Sequence, residues 1–328
     1  MNTPGGAVDL SIIIVNWNSK SFLRQCLISL GARCKSPASE VIVVDGGSFD
    51  GCAEMLAQDF PWVIFIQSET NVGFARANNS AVSRARGRCL LFLNPDTEFL
   101  EDSISILMSR LEALPNAGAV GCQLLNSDGS LQTNCVQAFP TIWNQVLDSR
   151  FLRERFPAWK IWGMGAQFAS PPKPAAVEVI VGACLLVKRG AFDSVGGFSE
   201  SYFMYGEDAD LCLKLNRAGY QVYYVPETRL IHHGGSCSGQ AGNDFSNVML
   251  RKSIYQFMKS NRGRLSAFAY RAAMIGCSVL RLVLILLLFP FSRMRSATNG
   301  TGSLRKWFSI LCWGLELRPA SRGGHAQR

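Results

Sequence analysis

At 328 residues, 48% of them hydrophobic and 17% charged, the chain is long enough for one large α/β domain with an appendage and can bury a sizeable core. The net charge of +9 hides an asymmetry: from Arg251 onward there are 14 Lys/Arg against the single acid Glu316, while residues 1–250 hold 19 basic and 23 acidic side chains. The body is mildly acidic and the tail strongly basic, the balance of a tail that faces an anionic surface. Eleven scattered cysteines with no CxxC pair fit buried thiols in a reducing compartment better than a disulfide framework or a zinc site. MNTPGGAVDL has no basic n-region and no long apolar stretch, so no secretory signal is expected and the body is expected in the cytosol.

The first apolar run, Leu10–Val15 (LSIIIV), is short, β-branched and bounded by Asp9 and Asn16, which predicts a buried parallel strand. Lys20–Leu30 carries apolar residues at helical spacing. Val41–Val44 is the next strand and ends at Asp45; Glu54–Asp59 is a short helix and Val63–Gln67 a third strand. Phe74–Ala85 is helical, and Cys89–Leu93 (CLLFL) is a fourth strand. Strands alternating with helices predict a doubly wound, mainly parallel, Rossmann-like sheet, in which ligands bind beyond the carboxyl ends of the strands. Three strands end in polar residues at that edge: Asn16-Trp17-Asn18, Asp45-Gly46-Gly47-Ser48 and Asn94-Pro95-Asp96.

Residues 126–177 are rich in Trp, Phe and Pro and read as a variable insertion or lid with short helices. Val179–Val187 (VIVGACLLV) and Gln221–Val225 restore strands, and Asp208–Ala218, ending at Gly219, is helical. Ala272–Phe291 is nearly all apolar over the length of a membrane span, but Arg281 interrupts it and Pro290 ends it. With Arg262, Arg264, Arg271, Arg293 and Arg295 around it and Trp307 and Trp313 beyond, it fits an interfacial helix on anionic lipid. The division expected is 1–250 for the catalytic domain, with halves 1–125 and 126–250, and 251–328 for a helical, membrane-associating tail whose contact runs through residues 262–313.

The acid cluster Glu207-Asp208-Ala209-Asp210 opens the helix after Tyr205-Gly206, and His232-His233 follow. Crowded carboxylates repel, a cost offset by a cation, a transferred proton or a helix N-terminus; alone, such a cluster is more often capping than catalysis. Asp45, with Ser48 behind it, can accept hydrogen bonds from a nucleobase or ribose, or else form an ordinary turn. Asn71-Val72-Gly73-Phe74-Ala75-Arg76 opens a helix whose N-terminus and Arg76 can meet a diphosphate, though it is neither a Walker loop nor a dinucleotide fingerprint. Pro95 stiffens the turn that presents Asp96, and a hard divalent cation on a diphosphate needs only one or two protein oxygens. Asp96 meets that need, and His232 can complete the shell if manganese is used.

SIIIVNWN, VIVVDGGSFDG, NVGFARANN, LLFLNPDTEF, VGACLLVKRGAF, GGFSESYFMYGEDADLCLKLNRAGY and LIHHGGSCS together resemble the family 2 glycosyltransferases, within them the rhamnosyltransferase-like branch. The resemblance spans about Leu10 to Ser238 and implies a GT-A fold, a nucleotide-diphosphate sugar donor, Mg²⁺ or Mn²⁺, and transfer with inversion. It implies that Asp208 is the catalytic base with Glu207 beside it on the acceptor side. Asp45 would contact the base, Asp96 would bind metal within Asn-Pro-Asp, and His232 would approach metal or diphosphate. Asn16, Ser48, Asn71, Gly73, Arg76, Asn94 and Gly182 complete the expected nucleotide-sugar site. Gly46 departs from the Asn usual in the family.

The function expected is transfer of a sugar, rhamnose from dTDP-rhamnose first among the donors, onto a lipid-linked or polysaccharide acceptor at the cytoplasmic face of the inner membrane. UDP- or GDP-sugars as donors and a non-catalytic membrane scaffold are the alternatives. A sugar nucleotidyltransferase would need a Gly-rich, basic loop after the first strand, which NWNSKS is not. Nucleic acid is not expected as a partner, because Leu282–Phe289 suits lipid.

Overall fold

The leading apolar runs form strands because their side chains are buried on both faces. β1 (Leu10–Asn16), α1 (Lys20–Arg33), β2 (Ser39–Asp45), α2 (Cys52–Asp59), β3 (Ile64–Gln67), α3 (Phe74–Val82) and β4 (Cys89–Leu93) alternate as expected. β1 pairs in parallel with both β2 and β4, and β2 with β3. Ile12, Ile13, Ile14, Ile42 and Val43 are essentially inaccessible, which is what a central parallel strand requires. The computed structural model describes residues 8–34, 38–234, 243–292 and 297–317. Ser236 and Ser238 of the last motif block, and the expected flanking cations Arg293 and Arg295, lie outside the described residues.

The chain continues through β5 (Thr97–Phe99), α4 (Ser103–Ala113), β6 (Ala117–Leu125), β7 (Val136–Gln137), α5 (Ile142–Val146), α6 (Arg150–Arg155), β8 (Ala175–Val177), β9 (Val179–Ile180) and β10 (Cys184–Lys188). Then come α7 (Arg189–Ser194), α8 (Glu207–Arg217), β11 (Gln221–His232), α9 (Asn243–Arg262), α10 (Arg264–Ser292) and α11 (Ala297–Gly314). The main sheet has the order β3-β2-β1-β4-β10-β6-β11-β5, with β8 on β11, and β7 and β9 form a separate small ladder. The sheet is mixed: β10 lies antiparallel to both β4 and β6, while β6 and β11 are parallel. The single strand expected at Val179–Val187 is therefore two strands in two sheets, broken at Val181–Ala183. All ten described free cysteines are buried, and burial pushes the Cys52 thiol up to about 12.

Two compact units divide the chain: Met1–Phe139 with Ser149–Gln240, and Pro140–Asp148 with Ala241–Arg328. In the second, Met258, Tyr270, Met274, Trp307 and Ile310 form a core against which Ile142 and Val146 pack. Arg271 and Arg281 of α10 turn into this unit. Arg271 donates to the carbonyls of Trp313 and Gly314 and pairs with Glu316. Arg281 donates to the carbonyls of Val146 and Asp148, and its guanidinium sits 4.3 Å over the Trp307 ring. Arg271 is thus not the flanking lipid-side cation expected from its position.

At the opposite end of β1 from the polar strand ends, Glu40 is buried, 2% exposed, and ties three segments together. It accepts from Ser11 Oγ (2.7 Å), the Arg86 amide (2.6 Å) and Arg86 Nε (3.0 Å). Burial alone pushes this carboxyl up, but those donors and the Arg86 charge outweigh it and leave it below the ordinary carboxylate range. A lowered folded-state value stabilises above the unfolded carboxylate range and is lost as pH falls through the folded value. Glu40→Gln is expected to cost about 1–3 kcal/mol at neutral pH by denaturant unfolding, and the deficit is expected to shrink in acid.

Candidate functional site

Three side-chain groups gather at the carboxyl edge of the first unit's sheet. The first joins the ends of β1 and β2. Asp45, 1% exposed, accepts from Asn16 Nδ2 (2.8 Å), Ser48 Oγ (2.6 Å), the Ser48 amide (2.8 Å) and Gln67 Nε2 (2.9 Å). Its oxygens are therefore saturated by protein donors, and it shapes the Gly46–Ser48 turn. Asn18 Oδ1 accepts from the Phe49 amide and Asp50 Oδ2 from the Lys20 amide, so the loop is braced on both sides. A Cβ at Gly46 would meet nothing closer than 3.5 Å. Glycine is not sterically required there, and its lack of a side chain leaves the face between Asn16 and Asn71 open.

The second group forms around the turn after β4. β11 is a long strand whose register with β6 shifts between Val225 and Arg229, where Pro226 has no amide to donate. Past that irregularity it pairs with β5, His232 opposite Thr97, which carries His232 to Asp96. His232 Nε2 lies 3.3 Å from Asp96 Oδ1. Gln132 Oε1 is 2.7 Å from His232 Nδ1, and Gln132 Nε2 donates to the His232 carbonyl at 3.2 Å. With Gln132 accepting, Nδ1 carries a hydrogen, and in the neutral ring Nε2 presents its lone pair. Asn94 Nδ2 lies 3.1 Å from the same nitrogen. A histidine lone pair and a carboxylate oxygen facing each other is an apposition that a divalent cation relieves. Among the described residues no three His, Cys, Asp or Glu gather as a metal cluster. His233 faces elsewhere: Ser127, Glu98 and the Phe22 ring hold it.

The third group is the acid cluster. Gly206, left-handed at φ 80°, precedes α8 and makes no side-chain cap, and Tyr205 before it is also left-handed at φ 69°. Asp208 does not cap the helix start. Its Oδ1 accepts from the Ala209 amide (2.7 Å) and its Oδ2 from the Gly182 amide (3.1 Å) in the loop before β10. Burial raises its pKa although both amides pull it down, so the helix start alone does not hold it at its ordinary value. Glu207 is 6% exposed, its Oε2 has no partner, and burial followed by the Asp208 charge raises it as well. Amides favour the charge on Asp208, so the shared proton belongs on Glu207. Asp210 serves structure: it accepts from Ser199 Oγ (2.6 Å) and Tyr202 OH (3.3 Å), with Lys214 Nζ at 3.8 Å.

The second and third groups are physically joined. The Asn94 amide donates to the Ala183 carbonyl at 3.0 Å, next to the Gly182 amide that holds Asp208. Asn71, Gly73 and Arg76 have partners of their own. Asn71 Oδ1 accepts from the Gly73 amide, the Phe74 amide donates to Phe203, and exposed Arg76 lies 3.6 Å from Glu200. The Gly73 and Phe74 amides at the start of α3 therefore already have partners in the protein. Gln132 is the site residue that sequence reading missed. It sits in the stretch read as a lid, a hundred positions from its histidine, and no local pattern marks it.

Residues 11–194 match the family model described as glycosyl transferase family 2, and residues 129–317 one described as glycosyl transferase family group 2. The N-acetylglucosaminyl-diphospho-decaprenol L-rhamnosyltransferase of Mycobacterium tuberculosis is 30% identical over 242 residues, 70% of this chain and 78% of that protein. Rhamnosyltransferase WbbL of Escherichia coli K12 is 26% identical over 234 residues, 68% of this chain and 82% of that one. Among solved structures, the mannosyltransferase PcManGT from Pyrobaculum calidifontis, in complex with GDP-Man and Mn²⁺, aligns with a TM-score of 0.58 at 15% identity. The alignment covers 96% of this chain and 88% of that one. The fold is the GT-A arrangement that the sequence motifs imply.

Gly73 is the junction between α3 and the segment before α8. Its φ is 87°, and a Cβ there would lie 2.5 Å from the Phe203 carbonyl oxygen. Gly73→Ala is expected to cost at least about 1 kcal/mol through the left-handed backbone and more through the clash. Thermal unfolding reads the loss.

Proposed function

The chain belongs to glycosyl transferase family 2, and from that premise we propose that it moves a sugar, rhamnose from dTDP-rhamnose first among donors, to a lipid-linked or polysaccharide acceptor with inversion. The observation that carries this reading is Asp208, held by two backbone amides one short loop from the Asp96–His232 pair. Support for the sugar and acceptor comes from a relative that is a rhamnosyltransferase of a diphospho-decaprenol substrate. In this reading residues 1–250 carry the chemistry and residues 251–328 the membrane contact, at the cytoplasmic face.

Inverting transfer needs a base opposite the leaving diphosphate. Asp208 takes the proton of the acceptor hydroxyl as its oxygen bonds to the anomeric carbon and the nucleoside diphosphate departs. Glu207 keeps its own proton, so it adds no second negative charge beside the base and faces the acceptor. Asp96 and His232 would hold Mg²⁺ or Mn²⁺, which neutralises charge developing on the leaving group. A Mn²⁺ complex of a structural neighbour supports that choice. Asp45, Asn16 and Ser48 shape the base pocket, with the Gly46 turn against the nucleotide.

The direct test is release of nucleoside diphosphate from a panel of dTDP-, UDP- and GDP-sugars, with Mn²⁺ or Mg²⁺ and with chelator. Asp208→Asn is expected to bind donor normally by calorimetry while transfer falls about 10²–10⁴-fold; normal turnover would overturn the assignment. Because Asp208 is raised, the acidic limb of kcat/KM is expected at higher pH than an unperturbed aspartate gives, with activity rising as the base ionises. Gln132→Leu removes the acceptor on Nδ1, and Mn²⁺ affinity read by electron paramagnetic resonance is expected to fall about 10–100-fold. Gln132→Glu is expected to restore it.

A further inference from the structure

Helix α10 presents two unlike faces. Leu265, Phe268, Val279, Leu280, Val283 and Leu287 are exposed at 81, 68, 46, 59, 46 and 65%. At the helical repeat of about 3.6 residues per turn they fall on one side of the helix, a stripe about 33 Å long whose middle is filled by the exposed small residues Ala272 and Gly276. No charged side chain interrupts that stripe. The same helix's polar groups point the other way: Arg271 and Arg281 onto carbonyls and rings, and Ser278 onto the Met274 carbonyl. In the same unit Lys252, Lys259, Arg262, Arg264 and Arg305 are exposed, in a tail with 14 basic residues and one acid. An apolar stripe of that length in a unit that exposes these cations matches an anionic lipid leaflet in both chemistry and charge.

A membrane span would need every face of α10 apolar or covered within the hydrocarbon. Its inner face is covered by the core shared with α9 and α11, and α9 exposes Lys252, Lys259 and Arg262. Carrying α10 across would draw those charges into lipid, at a cost that the leucines do not return. We propose that the Leu265–Leu287 stripe seats in the plane of an anionic leaflet, axis parallel to the surface, with the arginines of α10 turned to the protein side. This deepens the membrane contact proposed above and rests on it.

Full-length protein floated with phosphatidylcholine vesicles containing 30% phosphatidylglycerol is expected to bind, and to bind less to phosphatidylcholine alone. Leu280→Glu/Val283→Glu/Leu287→Glu is expected to cut binding at least tenfold with its thermal unfolding unchanged, because all three side chains are already exposed. In inside-out membrane vesicles, Lys259→Cys and Ser303→Cys are each expected to react with an impermeant maleimide before detergent is added, read against the wild-type background. Modification of one and protection of the other would mean a span and overturn the in-plane seat alone. Absence of vesicle binding by the wild type would overturn the membrane contact itself. A wild-type dimer that the triple variant dissociates, with vesicle binding unchanged, would assign the stripe to a second copy and overturn the proposal.

Discussion

The antiparallel entry of β10 between β4 and β6 is the constraint on which the rest of the site depends. A parallel strand in that slot would deliver its carboxyl end, and the loop after it, to the polar edge. An antiparallel strand delivers its beginning instead, so the loop Val181–Ala183 arrives at the Asn94–Asp96 turn. One backbone bond, from the Asn94 amide to the Ala183 carbonyl, fixes that meeting. The next amide back, Gly182, is then free to hold Asp208. Three segments about ninety and twenty-six residues apart are thereby set in register by ladder geometry, before any side chain chooses a partner.

The same reasoning explains why three acids are tolerated at the start of α8. Each has a different electrostatic setting, so they do not simply repel. Asp210 is neutralised locally by Lys214 and by two hydroxyls. Asp208 has two amides and the helix start, which stabilise charge. Glu207, the first residue of α8, has no such pair of amides and is buried with an unpartnered oxygen, so protonation is the cheaper state. Neighbouring carboxylates with environments that separate their proton affinities are the arrangement from which acid and base roles arise.

Much of the first half was legible because buried parallel strands read as unbroken apolar runs, and β1 to β4 do. The polar strand ends were legible for the same reason, since an Asn or Asp closing such a run has to sit at an edge. What was not legible depends on pairing. β5 is three residues long, and β6 (AGAVGCQLL) is diluted by Ala and Gly, so neither announces itself. VIVGACLLV reads as one strand because periodicity cannot see that its ends join different sheets. Gln132 was hidden most completely, because its meaning comes from His232, and His232 reaches it only through the irregularity at Pro226.

The tail shows how composition bounds an interaction without apportioning it. A count of 14 cations against one acid predicts attraction to an anionic surface, and so it reads from the sequence. Yet Arg251 is 3% exposed and bonded to Gln145, while Arg271 and Arg281 are tied to main-chain carbonyls and aromatic rings. These three contribute to the folding of their unit, and their charge reaches outward only weakly because donors and rings already engage it. Among the described residues of the tail, the outward-facing cations are those of α9, the start of α10 and α11. The inward arginines have a second effect: by leaving the outer face, they make it continuously apolar. A sequence in which Arg281 seemed to break a hydrophobic run thus yields a helix whose outer face is unbroken.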